Sequence, residues 1–184
     1  MPGTLKNHFS RYFTLHDTSV TGATRAQAFT FQVMLRDSRT LTEVFFPQLN
    51  RLSAGVIEGN YDSEKMNLNL NIDISTVAYS GFDIDSLSLR VISDTQRLQS
   101  TLRVGSMADS MLHLTNVRLS ASVEHDSIEV ALQTMGGNGD TKMLFAGICN
   151  SVPNGYQFRF RPDGIVFQNT KWNVPADNYI IFGS

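Results

Sequence analysis

The chain is poor in the residues that build covalent cross-links, reactive centres and membrane spans. Cys149 is the only cysteine among 184 residues, so no disulfide can form within the chain. The cysteine content therefore does not indicate whether the protein resides in an oxidising or a reducing compartment. No apolar run approaches the roughly 18 residues of a membrane-spanning helix. Charged residues make up 17%, below the roughly 25% usual for soluble domains. Asn, Ser, Thr and Gln take the polar positions instead, which suits an exported β protein but also fits many cytosolic β domains.

Recognised constellations of reactive residues are also missing from the sequence. Its histidines lack the spacing of metal ligands, and the glycine-rich stretch at 136–140 matches neither a phosphate-binding loop nor a calcium-binding repeat. No Gly-x-Ser-x-Gly nucleophile elbow is present. The net charge of −2 provides no bulk attraction for nucleic acid. The sequence therefore predicts a protein that is not an enzyme, has no metal site or cofactor, and does not bind nucleic acid.

What the chain does have is a long alternation of apolar and polar side chains. Residues 66–74 read Met-Asn-Leu-Asn-Leu-Asn-Ile-Asp-Ile. Because successive side chains of a strand point to opposite faces, the five apolar residues form one continuous apolar stripe on a single face. At about 3.3 Å per residue this stripe is about 30 Å long, which is longer than a typical strand.

The apolar pattern returns at an offset of thirty residues. Leu68 and Ile72 correspond to Leu98 and Leu102, and a second step leads from Leu102 to Leu132. A recurring offset of this size predicts an extended, stacked β structure. The predicted stripe consists of Met66, Leu68, Leu70, Ile72, Ile74, Phe82, Ile84, Leu87, Leu89, Leu98, Leu102, Val104, Leu112, Leu114, Val117, Leu119, Ile128, Val130 and Leu132.

The apolar phase slips by one residue at two places thirty residues apart, at Asp85-Ser86 and at Thr115-Asn116. Such a slip is typical of a β-bulge, which bends and twists a strand. Two equivalent bends predict an elongated, curved antiparallel sheet that forms an open apolar trough. The alternative is a β-sandwich, in which two apolar faces pack against each other as a closed core.

The first part of the chain reads differently from the rest. Residues 29–35 alternate as a strand does. Thr40 and Glu43 have the spacing of a capping box, and Pro47 ends the predicted helix after one or two turns. The sequence thus predicts an all-β protein with one short helix. It has a strand-plus-helix capping segment over residues 1–50 and a repetitive sheet over residues 51–184.

The chain is similar to the AsmA-like proteins, and within them to the translocation and assembly module B (TamB) branch. The similar residues are Leu52–Leu89, which contains Val56-Ile-Glu-Gly59 and Tyr79-Ser-Gly-Phe82, and Ser110–Thr134. Leu41–Leu49 resembles the segment that precedes such repeats in the version from Bacteroides-like bacteria. Together these patterns cover about two-thirds of the chain.

This resemblance implies a fold, a function and a location. Proteins of this family are long, are anchored in the inner membrane of diderm bacteria, and cross the periplasm as an open β-trough that carries phospholipid to the outer membrane. The stripe residues would then contact lipid. An older interpretation of the family is that it assists outer-membrane protein assembly beside a β-barrel partner, which here would occur by pairing of strand edges.

The resemblance also implies that the chain is an internal section of a longer protein. The start of the chain lacks the apolar region of a signal peptide. Neither the membrane anchor nor the barrel-contacting region of the family is recognisable in the sequence. A β-barrel partner would therefore be contacted only through regions outside this chain.

Overall fold

The computed structural model describes residues 7–15, 26–36 and 48–183. In these parts of the chain twelve strands form one antiparallel sheet, and one short helical turn lies at residues 7–9. The strands are β1 (Ala28–Leu35), β2 (Leu49–Leu52), β3 (Gly55–Asp62), β4 (Asn67–Tyr79), β5 (Phe82–Ser93), β6 (Leu98–Ala108), β7 (His113–Glu124), β8 (Ser127–Met135), β9 (Thr141–Val152), β10 (Gly155–Phe167), β11 (Thr170–Trp172) and β12 (Ile180–Phe182).

The strands follow one another across the sheet almost in chain order. From β3 to β11 each strand pairs with its successor, β1 lies beside β3, and the short strands β2 and β12 pair with β4 and β10. Tight turns join many of the neighbours. Ser80-Gly81, His125-Asp126 and Gln168-Asn169 all have positive φ angles at both residues. Such two-residue turns match the twist of the strands that they connect.

The predicted fold class is confirmed. The sheet is open, is not closed into a barrel, and is consistent with a curved trough. The sandwich alternative is not formed, because all the strands that the structure describes belong to a single sheet and few apolar side chains are fully buried. The helix predicted between Thr40 and Pro47 lies within residues 37–47, outside the described parts of the chain.

The pairing register explains the thirty-residue offset. Ile72 lies opposite Leu89, Leu89 lies opposite Leu102, and Leu102 lies opposite Leu119. One step of thirty residues therefore moves two strands along the sheet and arrives at the same height on the same face. The same relation holds from Leu102 to Leu132, which lies opposite Leu119. The repeat is one hairpin long.

The two predicted phase slips lie on one line across the sheet. Ser86 and Asn116 have φ angles of 57° and 51°, and the ladders of β4 to β7 omit the row formed by Ser75, Ser86, Gly105 and Asn116. The register is the same on both sides of this row, so no residue is inserted as it would be in a β-bulge. The slip comes instead from a left-handed residue in every second strand.

Candidate functional site

The candidate site is the sheet face that bears the predicted stripe. Seventeen of its nineteen residues lie in β4 to β8. The exceptions are Met66, which precedes β4 with a φ angle of 53°, and Leu112, which lies in the turn closed by the hydrogen bond from Asp109 N to Leu112 O. The structure thus brings most of the predicted residues together on one continuous surface.

The central row of this face is aliphatic over five neighbouring strands. Ile72, Leu89, Leu102, Leu119 and Leu132 lie directly opposite one another in turn. Directly opposed residues place their side chains on the same face, close enough to touch. An uninterrupted apolar band therefore crosses the sheet at right angles to its strands.

The band extends further than the sequence predicted. Ile57 pairs with Ile72 at one end, and Phe145 pairs with Leu132 at the other. Both were missed because each follows another apolar residue, Val56 or Leu144, so that the alternation of their strands is hidden. The neighbouring row of paired residues has smaller side chains, since Ser100 and Ala121 lie opposite each other at its centre.

The stripe is only partly covered. Of its nineteen residues Val104 alone is buried, at 7% exposure, whereas Leu112, Leu119 and Leu132 are exposed by 42%, 38% and 37%. The other fifteen are half-buried. Side chains in a closed core would be almost fully removed from solvent. This face is therefore an apolar surface of the molecule and not the interior of a sandwich.

One end of the face is covered by residues 7–15. Tyr12 and Phe13 are each 3% exposed and form a buried cluster with Val123, while Leu98 and Ile128 pack around it. The Phe13 ring stacks on Tyr156, with 5.6 Å between the ring centroids. Phe9, Tyr12 and Phe13 are three large aromatics within five residues, and the sequence alone does not indicate where they pack.

Polar groups anchor the same segment to the end of the sheet. Tyr12 Oη donates a hydrogen bond of 2.5 Å to the carbonyl of Asp94, and His8 Nε2 lies 2.9 Å from Ser93 Oγ. The Ser93 hydroxyl gives its one proton to the carbonyl of Met66. With the Ser93 proton on that carbonyl, the tautomer that suits this contact carries its proton on Nε2. His8 Nδ1 has no partner among the described residues.

Burial lowers the pKa of His8 below its usual value of 6.5, and the nearby Arg11 lowers the pKa further. The rings of Tyr12 and Tyr61, at 5.5 and 5.4 Å, surround the imidazole. Among the described residues no carboxylate forms an ion pair with His8. Protonation would therefore place a buried positive charge near that of Arg11.

We expect acidification to destabilise this contact. Because the pKa of His8 is lower in the folded state than in the unfolded state, the unfolded chain binds more protons as the pH falls below about 6.5. The free energy of unfolding should therefore decrease below that pH, and the loss should level off below the pKa of the folded protein. Chemical denaturation between pH 7.5 and pH 5 measures this change.

Two variants isolate the contribution of His8. His8→Gln keeps a hydrogen-bonding side chain for Ser93 and should flatten the pH dependence within this window. The matched control is His125→Gln, which removes an exposed histidine outside this contact. An unchanged slope in His8→Gln would contradict the assignment.

The remaining reactive side chains do not converge. Asp73, Asp83 and Asp85 are exposed on strands, and Asp83 forms a surface ion pair of 2.8 Å with Arg51. Cys149 is half-buried beside the aromatic cluster, and burial raises the pKa of its thiol. In the described ranges no three His, Cys, Asp or Glu side chains are grouped so that they could hold a metal ion.

The fold and the site define an all-β protein with one open sheet and one largely uncovered apolar face. No helix in the described parts is both long and apolar enough to cross a membrane. No protein-family model, no curated protein and no solved structure matches the chain. The resemblance to the AsmA-like proteins therefore stays a prediction from the sequence.

Proposed function

We propose that this chain is a section of a lipid-carrying trough, in which the apolar face contacts the acyl chains of phospholipid. The observation that supports the proposal most strongly is the aliphatic band through Leu89, Leu102 and Leu119, which no second layer of the described structure covers. Exposed apolar patches of this extent mark surfaces that bind apolar partners.

The chemistry of the band suits a hydrocarbon chain that moves. Each methylene transferred from water to an apolar surface contributes roughly 0.8 kcal/mol, so an acyl chain is stabilised along the whole band. Ile72, Leu89, Leu102, Leu119 and Leu132 offer no polar side-chain atoms. Without directional contacts the free energy of an acyl chain has no deep minimum at one position along the band, and the lipid can slide.

The cellular setting of the proposal comes from the resemblance alone. In it the chain lies in the periplasm as part of a bridge between inner and outer membrane. The parent protein is anchored in the inner membrane, and any contact with an outer-membrane β-barrel is made by regions outside this chain.

A second candidate function is pairing with the strands of a client protein during outer-membrane protein assembly. It is favoured by the apolar edges of the sheet. Val33 and Met34 of β1 are exposed by 44% and 56%, and Ile180 and Ile181 of β12 by 61% and 57%. Edge strands with exposed backbone and apolar side chains accept additional strands.

Native mass spectrometry of the chain purified from a diderm host, followed by lipid extraction, tests the first function. We expect phospholipid to co-purify, because acyl chains in water are costly and the apolar face is open. A folded, monomeric and lipid-free chain would contradict the trough and favour strand pairing. Purification in detergent with and without added phospholipid controls for lipid lost during extraction.

A further inference from the structure

The sheet face opposite the apolar band carries a concentration of arginines. Since side chains alternate along a strand, the neighbours of Leu102 and Leu119 in sequence, Arg103 and Arg118, lie on this second face. They are directly opposite each other. Arg90 belongs to the next strand on the other side of β6, opposite Thr101, and is thus a diagonal neighbour of Arg103.

These side chains line a depression with a volume of about 540 Å³, within the usual range for small-molecule sites of about 300–1,000 Å³. A fourth arginine, Arg161 of β10, lies on the same depression. Among the described residues of the lining, Glu129 is the only acidic one. Four positive charges against one negative leave a formal excess of three.

Three of the four arginines have no carboxylate partner among the described residues. Across the described ranges, Arg90, Arg103 and Arg118 form no ion pair, and Arg161 has only Asp163, at 3.5 Å. Like charges directly opposite each other destabilise a sheet. The pairing of Arg103 with Arg118 therefore works against folding, unless an anion from outside lies between the two guanidinium groups.

The floor of the depression leaves room for such an anion. Between the arginines lie small side chains, including Thr101, Ser120 and Ala131, which lie opposite one another in turn. The Thr101 hydroxyl can donate a hydrogen bond, whereas Ser120 Oγ donates its proton to the Ala131 carbonyl at 3.5 Å and would have to turn to reach an anion. Each guanidinium offers a planar set of donors that fits phosphate in a bidentate manner.

We propose that this depression, the arginine basin, binds an anion that carries phosphate groups. Arg90, Arg103 and Arg118 would contact the phosphate oxygens, with Thr101 and Ser120 below them. The basin lies on the face opposite the apolar band, so the proposal does not depend on lipid transport. The phosphate could belong to a soluble phosphate ester or to a lipid headgroup at a membrane surface.

Isothermal titration calorimetry with inorganic pyrophosphate, together with flotation on vesicles, tests the basin. The vesicles contain phosphatidylcholine with or without phosphatidylglycerol. The test variant is Arg103→Gln/Arg118→Gln, and it should weaken binding by roughly tenfold or more, because charge-assisted bidentate contacts are lost. The control is Arg97→Gln/Arg51→Gln, which removes the same charge from exposed positions outside the basin.

Pyrophosphate binding that is lost in the test variant and kept in the control supports a soluble phosphate ligand. Flotation only on phosphatidylglycerol vesicles, with the same dependence on the two arginines, supports a lipid headgroup. Equal losses of binding in both variants would mean that only the net charge of the protein matters, and would overturn the proposal. Absence of binding to both pyrophosphate and vesicles would also overturn it.

Folding of the variants is separable from binding. The thermal midpoint of Arg103→Gln/Arg118→Gln should not fall below that of the parent chain, because the substitution removes a like-charge pair. Leu102→Asp, on the other face, should leave pyrophosphate binding unchanged. Loss of lipid with retained pyrophosphate binding would therefore distinguish the two sites.

Discussion

Leu102→Asp is expected to remove most of the phospholipid that co-purifies with the chain. Leu102 lies at the centre of the apolar band, between Leu89 and Leu119. An ionised carboxylate there keeps its water and excludes hydrocarbon from its surroundings. Losing contact with only two methylenes, at roughly 0.8 kcal/mol each, weakens binding about tenfold. Quantified lipid per folded protein, by extraction and mass spectrometry, measures the effect.

The control for this variant is Asn71→Asp, which introduces the same charge on the opposite face. Asn71 adjoins Ile72 in sequence and pairs with Glu58 and Arg90, so its side chain points away from the band. Lipid retention should stay close to that of the parent chain. Equal lipid content in folded Leu102→Asp and in the parent would contradict contact between the band and acyl chains.

Tyr12→Ala is expected to lower the free energy of unfolding by roughly 3–5 kcal/mol, as for other large aromatics removed from a buried cluster. Tyr12 is 3% exposed and packs with Phe13 and Val123. The substitution also deletes the hydrogen bond to the carbonyl of Asp94. Because the described sheet has few other buried apolar side chains, this cluster provides an unusually large share of its tertiary packing. Urea denaturation gives the value.

Tyr79→Ala provides the comparison for Tyr12→Ala. Tyr79 is 47% exposed, and its hydroxyl donates to Gln48 Oε1 at 2.8 Å. Its removal should lower the free energy of unfolding by no more than about 1 kcal/mol, well below the decrease expected for Tyr12→Ala. Similar losses in the two variants would mean that residues 7–15 do not hold the end of the sheet.

The strands and their faces were predictable because the geometry of a sheet imposes a regular pattern of apolar and polar residues on the sequence. Side chains alternate with a period of two, so residues 66–74 revealed β4 and the face of Leu70 without any tertiary information. The thirty-residue offset was readable because successive hairpins from β4 to β8 have nearly equal length. Leu112 lies in the turn before β7, where the thirty-residue offset continues but the alternation of a strand no longer applies.

Contacts between distant segments were not predictable in the same way. Nothing in the sequence of residues 7–15 indicates that Tyr12 reaches the end of β5, 82 residues away. The phase slips at Ser86 and Asn116 were visible, but their cause was not. A left-handed residue and an inserted residue shift the alternation equally, and only the pairing register separates them.

Three properties follow from the amino-acid sequence alone: the chain is all-β, one face of its strands is apolar, and the pattern repeats every thirty residues. They arise from local chemistry, because alternation and turn residues act within a few positions of each other. Three further properties became visible only in the folded chain: the strands form one open sheet, residues 7–15 cover one end of it, and Arg90, Arg103 and Arg118 share a depression. These properties depend on strand pairing between residues far apart in the chain, and strict alternation is compatible with an open sheet and a closed core alike.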